Sequence, residues 1–159
     1  MASRAEDLAK QFEAKANEAT TALERLSDAD WKKVTTAEKW SVGVTAHHIA
    51  SSHELIAGII KTLAGGQPGP NISMDAIHEM NAKHAQDSAN CTKAETLAVH
   101  KQGAAAAAAI VRGLSDAQLD RSGAVLAGLP PMSVAQLAGD LLAGHIDEHL
   151  GSIRATVGG

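Results

Sequence analysis

Histidine is the side chain with the most chemistry to offer here: eight are present in 159 residues, in a chain with no tyrosine and one phenylalanine. Two of them, in His145-Ile146-Asp147-Glu148-His149, stand one helical turn apart, a spacing at which two imidazoles can converge on one metal ion. At 100° per residue, His145 falls within about 40° of Val134, Ala138, Leu141 and His149, so the pair continues an apolar stripe. A buried imidazole lacking a partner costs roughly 1–3 kcal/mol, so two on an inward face demand a reason. Three more histidines share an upstream segment. His48 aligns with Val44, Leu55 and Ile59 and is expected to point inward. His47 falls with Gly43, Ser51 and Glu54 on a small, polar face that meets solvent or a neighbouring loop. His53 sits near Ile49 and Ile60, at the border of the apolar arc. His48 is therefore the first candidate for a third ligand, with His53 in reserve. Three neutral imidazoles would hold a divalent ion and leave a position open, as catalytic rather than closed structural sites do. Zn²⁺ is the default, with Ni²⁺ and Fe²⁺ also suited to an all-nitrogen set. The competing reading of each histidine is a core residue bonded to a backbone carbonyl.

Other polar residues are weaker candidates. Asn81, His84 and Ser88 share a face with Ile77 and could line a cleft or support the ligands; the alternative is the solvated side of a helix. Glu148 lies within about 60° of His145, where it could orient a ligand or act as a base, or simply be exposed. Asp147 points away. Trp31 and Trp40 flank a long connection and read as packing plugs. Cys91 has no companion cysteine and no basic cluster to activate it. The acid in His-Ile-Asp-Glu-His is at the wrong position for a zinc-protease motif, and no nucleophile elbow or phosphate loop is found.

The elements that must position these residues are helices. Leu8, Phe12, Ala16, Ala19, Leu23 and Leu26 form one stripe, predicting a helix from about Arg4 to Leu26. Ser41 caps a second, ending near Leu63 before Gly65-Gly66. Ser73 caps a third piece, Met74 to about Asn90, and Thr92-Lys93-Ala94-Glu95 starts another to Gly113, as one kinked helix or two. The last follows Pro130-Pro131, with Ser133 as its cap, and runs to about Thr156. Strand signals are nearly absent. The expectation is an all-α, four-helix bundle forming a single domain over residues 1–159. Leu26-Ser27-Asp28-Ala29 and Leu114-Ser115-Asp116-Ala117 each end a helix, and each precedes a Ser-Val helix start that leads to histidines. Such an echo would suit a duplicated helical hairpin.

A formal charge of −4 and scattered Lys and Arg argue against nucleic-acid binding. The longest apolar run, Ala104–Val111, is far short of the ~20 residues needed to span a bilayer. The start has no apolar signal-peptide stretch, and one cysteine forms no internal disulfide. A cytoplasmic protein with no membrane partner is expected.

The histidine segments resemble the DinB-like superfamily, which includes metal-binding domains of the mycothiol-dependent maleylpyruvate isomerase type. Trp40-Ser41-Val42-Gly43-Val44-Thr45-Ala46-His47-His48-Ile49-Ala50 is similar to the family's Trp-Ser/Thr-Val opening, whose ligand His comes eight positions after Trp. That selects His48 over His47. His145-Ile146-Asp147-Glu148-His149 is similar to the closing His-x-x-x-His pair. The resemblance covers essentially the whole chain. It implies a four-helix bundle, a metal site of His48, His145 and His149, a homodimer and a small-molecule substrate. The isomerase branch has Glu where this chain has His145, and a further C-terminal domain, so the resemblance points away from that isomerisation. It implies instead a metal-dependent transferase using a low-molecular-weight thiol, or a hydrolase. The alternative is a non-catalytic, dimeric metal- or ligand-binding bundle in sensing or stress.

Overall fold

Ser3, Ser41, Ser73, Thr92 and Ser133 each accept a hydrogen bond from a backbone N–H in the turn that follows, and these caps set where the long helices begin. In a computed structural model, which describes residues 3–158, the helices are α1 (Arg4–Glu24), α3 (Val42–Ala64), α4 (Met74–Asp87) and α5 (Lys93–Arg112). The last rod comprises α7 (Val134–Gln136), a π-helical segment (Leu137–Ala143) and α8 (Gly144–Val157). The two middle pieces are separate helices, because the Thr92–Glu95 capping box starts α5 afresh. The two Leu-Ser-Asp-Ala links do more than end helices. Ser27 and Ser115 open short helices, α2 (Asp28–Lys32) and α6 (Asp116–Leu119), through capping boxes with Asp30 and Gln118. A two-residue antiparallel pairing, β1 (Ser122–Gly123) with β2 (Met132–Ser133), is too short to leave a periodic signal.

Helices α1, α3, α5 and the last rod enclose the core, which includes Phe12, Leu23, Ile49, Ile60, Val111, Leu137, Leu142, Ile146 and Ile153. This is a mostly helical, four-helix bundle. Helix α4 lies on its flank and buries none of its residues. Small residues set the close approach of α3 and α5: a Cβ on Gly103 would lie 3.4 Å from both Ala50 O and His53 Cβ. Among the described residues no helix is long and apolar enough to cross a membrane.

Two features fix the phase of the histidine-bearing helices. Trp31 packs on Gly43 so closely that a Cβ there would lie 2.3 Å from Trp31 Nε1. The indole N–H donates to Cys91 O at 3.0 Å and the Cys91 thiol to Gly43 O at 3.3 Å, tying α2, α3 and the start of α5 together. The core face of α3 consequently centres on Ile49, His53, Ile56 and Ile60, while Leu55, expected inside with His48, is 50% exposed. In the last rod the π segment, with its wider turn, advances the buried face by one residue. Leu142, Ile146, His149 and Leu150 are buried, and Leu141 and His145 are half-buried at the edge.

Candidate metal centre

His48 leaves α3 seven residues after the Ser41 cap, and His145 and His149 leave α8 one turn apart. The packing of these helices brings the three imidazoles together: one ligand atom from each lies within 4.8 Å of the others. His48 Nε2 and His145 Nε2 are 3.0 Å apart. The His149 ring stands at 4.8 Å from that of His48 and 4.5 Å from that of His145. Trp40, at the head of the sequence motif, packs its ring edge-on against His48 at 5.3 Å.

A buried carboxylate completes the arrangement. Glu38 Oε1 lies 2.9 Å from His149 Nδ1, and a carboxylate only accepts, so Nδ1 carries a proton, the tautomer that in a neutral ring turns Nε2 toward a ligand role. Burial acts to raise the Glu38 carboxyl, but polar groups of Thr35, His149 and Ser152 outweigh it and hold it below the usual carboxylate range. Of the three, only His149 comes into full hydrogen-bond geometry; Glu38 Oε2 is buried without a partner among the described residues. Burial pushes His48 and His145 down to about 3, with the neighbouring imidazoles acting in the same direction. Both are thus neutral near pH 7, with lone pairs free. Two bare ring nitrogens 3.0 Å apart repel unless one is protonated or a cation lies between them. The donor set therefore fits a divalent first-row ion.

The other candidates are distributed around this cluster. His53 is 1% exposed and its Nε2 is 3.0 Å from His100 Nδ1; His100 Nε2–H donates to Ala16 O at 2.9 Å. The reserve ligand is thus held in a second buried pair, and Phe12 packs edge-on against it at 5.3 Å. His84, half-buried on α4, has its ring 5.6 Å from that of His48 and its Nε2 2.8 Å from His47 Nδ1. His47 thus meets another helix rather than a loop. Asn81 is half-buried on α4, and Glu148 is exposed; the carboxylate that meets a site imidazole is that of Glu38.

Sequence reasoning missed Glu38 and His100. Glu38 lies in the connection between α2 and α3, where no periodicity assigns a face. Thr35 N–H donates to Trp40 O at 2.8 Å and Lys39 N–H to Thr35 O at 3.1 Å, and Lys39 has a φ of 63°. This tight turn folds the acid back over the bundle end. Its position two residues before Trp40 is the one available hint.

Fold and site together define a four-helix bundle with three imidazoles gathered at one place. The chain belongs to the DinB superfamily, whose sequence profile matches residues 11–153. Among solved structures it is similar to the mycothiol-dependent maleylpyruvate isomerase, at 13% identity and a TM-score of 0.74 over 94% of this chain. This chain spans only 60% of the length of that isomerase. It is also similar to YfiT from Bacillus subtilis, described as a probable metal-dependent hydrolase with an unusual four-helix bundle topology; identity is 17% and TM-score 0.71, over 97% of this chain and 87% of that one. At these identities the likeness shows the fold alone. No curated protein matches the sequence.

Proposed function

We propose that this chain is a metal-dependent enzyme of the DinB type, in which residues 1–159 act as one catalytic domain. His48, His145 and His149 would hold a divalent cation, Zn²⁺ first and Ni²⁺ or Fe²⁺ next. The observation that carries this reading is the convergence of three imidazole nitrogens within 4.8 Å, from helices far apart in the chain. When bound, such an ion lowers the pKa of a coordinated water or thiol and polarises a substrate. The protein's own part is to keep the ligands neutral and oriented. Glu38 Oε1 holds the His149 proton on Nδ1, and Trp40 braces the His48 ring.

The reaction class favoured is transfer dependent on a low-molecular-weight thiol, with hydrolysis next. Support comes from the resemblance in fold to an isomerase that uses mycothiol and to a described metal-dependent hydrolase. The substrate would be a small electrophile. The reading includes a homodimer, to which the exposed Leu55, Met74 and Met80 would supply apolar surface. Elemental analysis of untagged protein is the test, with His48→Ala expected to abolish binding at this site. Undiminished binding in that variant would remove the ligand assignment, and inactivity of loaded protein toward thiols with electrophiles would remove the transferase.

A further inference from the structure

A second polar cluster sits beside the first without sharing any ligand with it. His47 Nδ1 and His84 Nε2 are 2.8 Å apart, and Ser88 Oγ is 3.3 Å from each. Ser51 Oγ is 3.4 Å from His84 Nε2. A ring nitrogen has either one proton to give or one lone pair to share. His84 Nε2 is nevertheless crowded by three polar atoms, and no tautomer lets it bond to all of them. Ligand atoms on a metal with bonds of about 2.0–2.1 Å stand about 2.9 Å apart along octahedral edges and about 3.3 Å along tetrahedral ones. The four contacts here run from 2.8 to 3.4 Å, a range that spans both edge lengths.

The position in the fold gives the cluster something to do. Helix α4 fully buries none of its residues, and its apolar contact is limited to the half-buried Ala76, Ile77 and Ala85. His84 and its C-cap Ser88 are what α4 extends toward His47 and Ser51 of α3.

We propose that His47, His84, Ser51 and Ser88 form a second site for a divalent first-row cation, which pins α4 against α3 at the edge of the three-histidine centre. Imidazole nitrogens select Zn²⁺, Co²⁺ or Ni²⁺ over Mg²⁺ and Ca²⁺. With two imidazoles and two neutral hydroxyls, the second site binds more weakly than the first.

Co²⁺ titration of untagged, metal-free protein tests this, read by visible absorption and by metal content after dialysis. Backbone hydrogen exchange over Met74–Asp87 gives an independent readout. The wild type is expected to take up two equivalents, the second with strengthened protection of α4. His84→Gln and His47→Gln, each at a half-buried position, should bind one equivalent and lose the α4 response. His145→Gln should lose the first equivalent and keep the α4 response. Saturation at one equivalent that His84→Gln retains would overturn the second site and leave the first. Two equivalents in both His84→Gln and His47→Gln would also overturn it. A single equivalent lost in His84→Gln but kept in His145→Gln would uphold the second site and remove the first.

Discussion

Replacing Glu38 should separate metal affinity from fold stability. The carboxylate is 2.9 Å from His149 Nδ1, and its side chain is 8% exposed. In Glu38→Ala the buried Nδ1–H loses its acceptor, a cost of about 1–3 kcal/mol for the state that needs this tautomer. At about 1.4 kcal/mol per decade this becomes roughly a 5- to 150-fold loss of affinity, in line with the 10–100-fold typical of groups that support metal ligands. Glu38→Gln keeps an acceptor and loses only the charge, so its affinity should fall near the lower end. The metal-free protein should respond differently. The neighbours of Glu38 hold its carboxyl below the usual range, a net stabilisation that burial and one oxygen without a partner keep small, so removing it should lower metal-free stability by much less than the loss in binding. Competition with a chromophoric chelator gives the affinity, and urea unfolding of metal-free protein gives the stability. If Glu38→Ala binds Zn²⁺ within twofold of wild type, the positioning role is wrong. If metal-free stability falls as steeply as affinity, the residue is structural.

Three further outcomes follow from particular contacts. Burial, with the nearby His100, depresses His53 to about 3 in the folded protein against an ordinary value of 6.5, so the unfolded chain takes up the proton first. Its contribution is complete above about pH 6.5 and is lost on acidification toward pH 3; at pH 4.5 the loss is about 2–3 kcal/mol, which urea midpoints should record and His53→Gln should flatten. Gly43→Ala forces a methyl into the Trp31 indole and should cost about 1–3 kcal/mol in thermal unfolding, with much of the loss recovered when Trp31 is also truncated. Leu142→Ala should destabilise by about 2–5 kcal/mol while Leu141→Ala costs much less; equal effects would place the π segment's shift in doubt.

Much of the architecture could be read along the chain because helices announce themselves locally. Caps at Ser41, Ser73, Thr92 and Ser133 and the stripe from Leu8 to Leu23 are short-range signals, and the helices begin where those signals fall. Errors arose where phase accumulates. Leu55 falls on the inward arc by hydrophobicity alone yet is 50% exposed, since which part of an apolar arc is covered depends on the neighbouring helices. Leu141, on the inward stripe by count, is half-buried while its neighbour Leu142 is buried, because a π turn leaves no mark in a pattern counted at 3.6 residues.

The amino-acid sequence by itself determined the helices, their caps, the absence of long strands and the imidazole spacing within each segment, since all of these depend on neighbours a few positions away. Only the tertiary structure decided that His48 meets His145 and His149, that His53 is instead paired with His100, and that Glu38 reaches His149 from a loop. These contacts join residues about 50 to 110 positions apart, and they exist because packing brings separate helix faces and one tight turn to the same end of the bundle.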